Sequence, residues 1–301
     1  MAQALEALKY NQSNYKIQGQ LLIEVPRIFQ LGNSASDPDI TKLTEEAVKW
    51  MNSDFKGVGY VELDISDLGK NQPLGYSNLY RRWALGTRAR ELYGKDSEGR
   101  EIQLLTPAPS ELALKEGTLP DAKSTYEDLA VAVYSTKGPN AQLAQHLVSQ
   151  AKERGMQVEF PMVFYHLKTV KDDSFENGLR LDFDDIGVGY PVPILSKETG
   201  KFDSNDPELI KTGFPRELGE GSRTLYTRKD GLSRVCRYRS LNLYAVNDYL
   251  PNSIVAGRVS FIKGVAPQNL DAALKAIETE KRRQEGAISP RFEQAMKLMK
   301  G

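Results

Sequence analysis

The spacing of apolar positions along the first half of the chain predicts alternating helices and strands. Apolar side chains recur every three or four residues after Asp37-Pro38, a pair that can cap and open a helix, so we expect a helix over 38–53. Alternating or continuously apolar stretches predict strands over 15–25, 57–65 and 101–105. These elements indicate a fold that combines helices with a sheet.

The stretch 129–168 carries the clearest supersecondary pattern. A strand-length apolar run, LAVAVYS, is followed by a Gly-Pro-Asn break, a helical repeat of apolar positions and a second apolar run. Strand, helix and strand over this length predict a βαβ unit with parallel pairing. Ser124 and Glu127 also have the spacing of a capping box, which would make 125–135 helical instead.

The local composition of the chain changes near residue 172, where turn-forming residues become frequent. We place a soft domain boundary there, with an α/β part over 1–171 and a β-rich part over 172–301, although one domain could hold both. Helical patterns return over 269–285 and after Ser289-Pro290. The predicted fold is therefore α/β or α+β: a mixed sheet with one parallel βαβ unit, then a β-hairpin-rich half and C-terminal helices.

Composition places the chain among globular proteins and limits its electrostatics. Of 301 residues, 40% are hydrophobic and 27% are charged. Lys and Arg together number 40, as do Asp and Glu, so the formal net charge is zero. Any affinity for nucleic acid must therefore come from a local patch. The absence of net repulsion between copies is compatible with a homo-oligomer.

Cysteine use and hydropathy indicate a cytoplasmic protein. The single cysteine, Cys236, cannot form a disulfide within one chain, which fits a reducing compartment. No apolar run approaches the length of a transmembrane helix, and the first residues lack the pattern of a signal peptide. We therefore expect no membrane partner.

The most function-like segment is an Arg/Tyr-rich stretch over 223–246. Asp230-Gly231 between two β-rich runs predicts a β-hairpin. Near the turn, the alternation puts arginine and tyrosine on both faces, so this half is expected to project from the core. The predicted contact residues are Arg223, Tyr226, Arg228, Lys229, Arg234, Arg237, Tyr238 and Arg239.

Such a ribbon suits nucleic acid, because guanidinium groups bind phosphate and tyrosine rings stack on unpaired bases at about 1–3 kcal/mol per base. A basic helix over 77–93 adds Arg81, Arg82 and Arg88, unless these arginines only surround a core-packed helix. We therefore predict a non-catalytic DNA- or RNA-binding protein. Two alternatives stay open: an assembly subunit that self-associates through the same hairpin, and a solvated edge hairpin whose arginines pair with carboxylates.

Patterns suited to catalysis are weaker. Glu62 with Asp64, and Asp182 with Asp184, each place two carboxylates on one strand face, and together they could hold Mg²⁺ in a phosphodiesterase or nuclease. The two histidines are too few for a three-histidine zinc site, and no phosphate-binding loop or hydrolase elbow is present. The sequence thus favours a protein that is not an enzyme and has no cofactor or metal, with the phosphodiesterase as a third hypothesis.

Overall fold

The structure is a computed structural model that describes residues 15–18, 21–24, 27–34, 37–67, 72–94 and 102–263. Its strands are β1 (Tyr15–Gln18), β2 (Leu21–Glu24), β3 (Arg27–Gln30), β4 (Ile102–Leu104), β5 (Glu127–Val133), β6 (Met162–Lys171), β7 (Leu179–Pro191), β8 (Gly200–Phe202), β9 (Arg223–Tyr226), β10 (Leu232–Arg237), β11 (Leu243–Tyr244) and β12 (Ser260–Lys263). Its α-helices are α1 (Pro38–Asp54), α2 (Leu79–Tyr93), α3 (Pro107–Glu116), α4 (Ala141–Glu153) and α5 (Leu209–Thr212). The helices predicted at 269–285 and after Ser289 lie outside the described residues.

Local capping positions the two long helices that the sequence predicts. The Asp37 side chain accepts a hydrogen bond from the Ile40 amide and Pro38 opens α1, as the pattern indicated. α2 begins one residue later than a Ser77 cap would allow, because the Asn78 side chain accepts from the Arg81 amide. Gly94 follows its last residue. Both helix predictions are confirmed.

Two of the strand predictions in the N-terminal part of the chain are wrong. The stretch 15–25 is not one strand, because β1 and β2 pair with each other antiparallel. The stretch 57–65 is not a strand, since it forms turns that lead into a short 3₁₀ helix, Ile65–Asp67. The Asn52 side chain holds this loop by bonding both the N–H and the carbonyl of Leu63. The short strand predicted near 102 is β4, which joins β12 and β3 in a three-stranded antiparallel sheet.

The main sheet has seven strands in the order β7-β6-β5-β10-β11-β9-β8. The predicted strand–helix–strand order is present, with β5, α4 and β6 in place, so a helix over 125–135 is wrong. Parallel pairing is also wrong, because the last residue of β5, Val133, lies opposite the first residue of β6, Met162. α4 is about 20 Å long, and the non-helical segment 154–161 can span about 26 Å. That segment carries the chain back to the end from which α4 departed.

The hairpin predicted about Asp230-Gly231 is not formed. β11 lies between β9 and β10, parallel to the first and antiparallel to the second. The turn instead docks on the β5–α4 connection, where the Leu232 amide donates to the Pro139 carbonyl and the Tyr134 amide donates to the Gly231 carbonyl. Gly231 has φ +70, and a Cβ there would meet the Pro139 carbonyl at 2.4 Å, so glycine is needed for this docking.

Much of both faces of the main sheet is covered, but one face of β9 and β11 carries partly exposed side chains. One face packs against α1, α2 and α4, with Met51, Trp83, Leu147 and Phe164 in a shared apolar core. On the opposite face, Leu195 and Phe214 from the segments 192–196 and 209–218 pack against sheet residues that include Phe202 of β8. Within the described ranges, no helix combines the length and the apolar character that crossing a bilayer requires.

Candidate ligand-binding surface

The arginines predicted to contact a partner lie partly inside the protein. Arg82, Arg223, Arg234 and Arg237 are all buried. Arg82 Nη1 lies 2.8 Å from Glu127 Oε1. The expectation that 223–246 projects from the core is therefore wrong for Arg223, Arg234 and Arg237, whose side chains face carboxylates and hydroxyls of the interior.

Two of these arginines form two-bond ion pairs, the geometry in which guanidinium and carboxylate match best. Arg223 pairs in this way with Glu111 of α3, with an Nη2–Oε1 distance of 2.8 Å. Arg234 pairs with Asp128 of β5, and both of its bonds measure 2.7 Å. Such pairs leave no exposed guanidinium to bind phosphate, so these two arginines are expected to affect the stability of the fold and not the binding of a ligand.

Arg237 differs from the other three buried arginines because its hydrogen-bond partner is a hydroxyl and not a carboxylate. Its Nη1 donates to the Ser110 hydroxyl, while its Nε and Nη2 have no hydrogen-bond partner. Burial holds the pKa of Arg237 below its usual value, against the opposing attraction of Glu127 and Glu111. This guanidinium is an under-satisfied buried cation.

The arginines of the basic helix 77–93 also contact other parts of the protein. Arg81 donates to the carbonyls of Gly59, Val61, Glu62 and Tyr76, so it ties two loops to the start of α2. Arg88 forms ion pairs with Asp54 and Glu91. Its guanidinium also lies 6.0 Å from the ring centre of Trp50. These contacts leave the helix with few cations facing solvent.

Four tyrosines form a continuous row of ring contacts, which we call the tyrosine row: Tyr126, Tyr238, Tyr244 and Tyr226. Tyr226 and Tyr244 lie opposite each other on β9 and β11, with ring centres 4.3 Å apart and nearly parallel planes. Tyr238 lies 5.3 Å from Tyr244 and 6.1 Å from Tyr126. The row thus runs from β9 across β11 to the β10–β11 turn and ends at Tyr126, the residue before β5.

The tyrosine row lies on the face of β9 and β11 that turns away from the core. Leu225 and Leu243 are buried, and the residues that follow each of them, Tyr226 and Tyr244, are partly exposed. Tyr238 is the most accessible member, at 36% exposure. The row therefore offers ring surface to solvent along its length, ending at the buried Tyr126.

Tyr126 anchors the row in the interior. Its hydroxyl donates to the Ser77 carbonyl, and the Arg234 guanidinium lies 5.5 Å from its ring centre. Burial raises the pKa of Tyr126 to about 12, and the nearby Asp128 acts in the same direction. Burial also raises the pKa of Tyr244, with a contribution from the hydrogen bond to Tyr226. These two hydroxyls therefore stay protonated at neutral pH.

Two exposed cations flank the tyrosine row. Lys201 of β8 lies directly opposite Thr224 of β9, and opposed residues share a face, so Lys201 belongs to the face of Tyr226. Arg239 is exposed in the turn that joins β10 to β11, next to Tyr238. Sequence reasoning included Arg239 but missed Lys201 and Tyr244. The alternation of Leu243 and Tyr244 could have identified Tyr244 from the sequence. The pairing that places Lys201 opposite β9 could not be predicted from the sequence.

The remaining predicted contacts, Arg228 and Lys229, lie beside a separate cleft at the end of the main sheet. Arg228 Nη1 is 3.1 Å from Asp248 Oδ2 and also donates to the Val246 carbonyl. Lys229 is exposed. The two residues are therefore not part of the tyrosine row.

Three of the four carboxylates considered for Mg²⁺, those of Asp64, Asp182 and Asp184, have other partners. Asp182 Oδ1 lies 2.7 Å from His146 Nε2 and also binds Arg180, whereas Asp184 Oδ2 lies 2.7 Å from Arg90 Nη1. Asp64 accepts a hydrogen bond from the Ser66 amide at the start of the 3₁₀ helix. In the part of the chain that the structure describes, no group of three or more His, Cys, Asp or Glu side chains is arranged to hold a metal ion.

Comparisons with known proteins add no relative. The chain matches no protein-family model, no curated protein and no solved structure. The geometry of the described residues is therefore what supports a function for this chain.

Proposed function

We propose that this protein binds single-stranded nucleic acid without catalysis, with unpaired bases stacking against the tyrosine row. The observation that carries the proposal is the row itself, in which partly exposed rings follow one another across β9, β11 and the β10–β11 turn. Base–aromatic stacking contributes about 1–3 kcal/mol per base and is tolerant of sequence. Duplex DNA hides its base faces, so single strands are the matching ligand.

Cations beside the row supply the electrostatic part of the interaction. Lys201 and Arg239 are exposed on or next to the tyrosine face. Each phosphate contact on a single strand contributes about −0.7 to the slope of log affinity against log salt. Two such contacts give a slope near −1.4, which is shallow for a nucleic-acid-binding protein. Stacking, and not charge, carries most of the proposed affinity.

The proposal is tested by fluorescence anisotropy with labelled single-stranded oligonucleotides and matched duplexes at several salt concentrations. Saturable binding of the single strands, with preference over duplex and a shallow salt slope, is expected. Absence of single-strand binding at low salt would contradict the proposal. Mg²⁺ in a parallel sample is expected to leave the oligonucleotides uncut, and cleavage there would favour the phosphodiesterase instead.

A second candidate is a subunit that self-associates through the same region. The stretch 238–255 carries several exposed apolar or aromatic side chains: Tyr238, Val246, Tyr249 and Val255, of which Val255 is 60% exposed. Tyrosine is enriched at protein interfaces, and exposed apolar surface favours association. Light scattering during the oligonucleotide titration separates the two candidates. A defined oligomer that dissociates in Tyr249→Ser/Val255→Ser, without any oligonucleotide binding, would favour assembly.

A further inference from the structure

A concave site separate from the tyrosine row lies at the end of the main sheet. It is a cleft of about 560 Å³ formed where β5 and β9 end and β6 and β8 begin. Volumes of this order are typical of small-molecule sites. Its lining residues are Tyr134, Phe160, Pro161, the segment 196–199 and the segment 227–229.

The walls of the cleft are tied to each other by hydrogen bonds. The Thr227 hydroxyl donates to the Lys197 carbonyl at 2.7 Å, and the Thr227 amide donates to the Thr199 hydroxyl at 3.1 Å. The floor is fixed as well, since the buried Tyr134 donates its hydroxyl to the Ala245 carbonyl at 2.7 Å. The cleft is therefore built by the fold and is not a gap between loose segments.

The lining is positively charged. Lys197 and Lys229 are exposed, and neither ammonium group forms an ion pair with another described residue. Arg228 also lines the cleft, and its Nε has no hydrogen-bond partner although its Nη atoms face Asp230 and Asp248. Glu198 is the acidic lining residue. The two unpaired ammonium groups, with Arg228 beside them, favour an anionic ligand.

An aromatic ring stands at the same cleft. Phe160 is 44% exposed, which leaves a large apolar surface in water at the edge of a charged site. The side chain directly after it, Pro161, is buried, so the backbone that carries the ring is fixed. A planar aromatic group stacked on Phe160 would remove that surface from water.

We infer that this cleft binds a nucleotide unit, with its base against Phe160 and its phosphate near Lys197 and Lys229. The unit is either a free nucleotide or the phosphorylated end of a strand, which share this chemistry. The inference is independent of the tyrosine row, since the cleft has its own ring, its own cations and its own walls.

The test is isothermal titration of the full chain with AMP, adenosine and inorganic phosphate. AMP is expected to bind, with adenosine and phosphate each weaker by about tenfold or more, because each lacks one of the two contacts. Lys197→Gln/Lys229→Gln should weaken AMP by about tenfold or more. The matched control Lys152→Gln/Lys168→Gln, which changes two other exposed lysines, should leave AMP binding unchanged. Phe160→Leu should weaken AMP but not phosphate.

Oligonucleotides with and without a 5′-phosphate separate the two sources. If a terminal phosphate raises the affinity of the oligonucleotide, and the lysine variant abolishes that gain, the ligand of the cleft is a strand end. If AMP binds but the terminal phosphate gives no gain, the ligand is a free nucleotide. Absence of both, or AMP binding that the lysine variant does not change, would overturn the inference. Equal affinity for phosphate and AMP would also overturn it. Tyr238→Ala should leave AMP binding intact, so failure of the tyrosine row is distinguishable from failure of the cleft.

Discussion

The guanidinium of Arg234 and the carboxylate of Asp128 form a buried ion pair with two parallel hydrogen bonds, each 2.7 Å long. Replacing Arg234 with Met removes the cation and leaves a buried carboxylate without compensation, which costs about 3–5 kcal/mol. We expect a correspondingly lower free energy of unfolding in urea. Arg239→Met is the control, because Arg239 is exposed and its loss should change stability by less than about 0.5 kcal/mol. Equal unfolding midpoints for the two variants would contradict the prediction.

Arg237 predicts a different response to the same substitution. Two of its N–H-bearing nitrogens are buried without partners, so its guanidinium already carries a desolvation cost that its neighbours do not fully offset. Arg237→Met should therefore reduce the free energy of unfolding by less than Arg234→Met does. The difference between the two losses is expected to be about 2 kcal/mol. Urea unfolding of both variants measures the difference. A larger loss for Arg237→Met would mean that its attraction to Glu127 and Glu111 outweighs the missing hydrogen bonds.

Helices α1, α2 and α4 were predictable because their signals are local, whereas α3 was not predicted, because its two prolines indicated a break. Asp37 and Asn78 cap helices whose apolar repeats are visible within one stretch of chain, and only the cap of α2 was misplaced by a residue. The strand at 129–135 was equally clear as an apolar run. Its pairing was not, because the direction of β6 depends on the path of 154–161, and no residue pattern there marks where the chain turns back.

The role of the Arg/Tyr-rich stretch could not be read from sequence for a related reason. Arg223 meets its carboxylate partner Glu111 across 112 positions, and charge alone does not distinguish a buried pair from an exposed cation. The Asp230-Gly231 turn was correctly placed, but the insertion of β11 between β9 and β10 was invisible because β11 is two residues long. That insertion is what brings Tyr244 against Tyr226 and creates the tyrosine row.

His166 is expected to stay neutral across the physiological range. Burial lowers the pKa of His166 to about 3, with help from the positive charges of Arg90 and Arg82. NMR of the two histidine rings, assigned with His146→Asn, should show one ring whose shifts do not move between pH 8 and pH 5. A ring at His166 that titrates near pH 6.5 would contradict this prediction.

The same shift predicts a loss of stability in acid. The unfolded chain takes up a proton at this histidine below pH 6.5 and the folded chain does not, so the stabilising contribution is lost as the pH falls from 6.5 towards 3. At pH 5 the loss is about 2 kcal/mol relative to neutral pH. His166→Asn should remove this slope, and asparagine tolerates the backbone there, where φ is +56.

Asp184 opposes the effect of His166 and has to be separated from it. Burial raises the pKa of Asp184 to about 6 despite its ion pair with Arg90. The folded chain therefore takes up this proton before the unfolded chain does, and the contribution of Asp184 to stability rises as the pH falls from 6 towards 3.8. The comparison of His166→Asn with the parent chain is accordingly repeated in an Asp184→Asn background. The acid-dependent difference should persist there.

The tyrosine row yields the prediction that tests the proposed function most directly. Tyr238→Ala removes the most exposed ring and should weaken single-strand binding by about 1–3 kcal/mol, because one base loses its stacking surface. Tyr238→Phe keeps the ring and should retain most of the affinity. Tyr60→Ala is the matched control, since Tyr60 is similarly exposed at 42% and lies in the 57–62 loop, outside the row.

Charge substitutions separate stacking from phosphate contact on the same surface. Lys201→Gln/Arg239→Gln should lower affinity at low salt and flatten the already shallow salt slope by about 1.4, whereas Tyr238→Ala should lower affinity equally at every salt concentration. Anisotropy titrations at four salt concentrations distinguish the two patterns. If both variants changed only the salt slope, the rings would not be stacking on bases, and the surface would bind strands by charge alone.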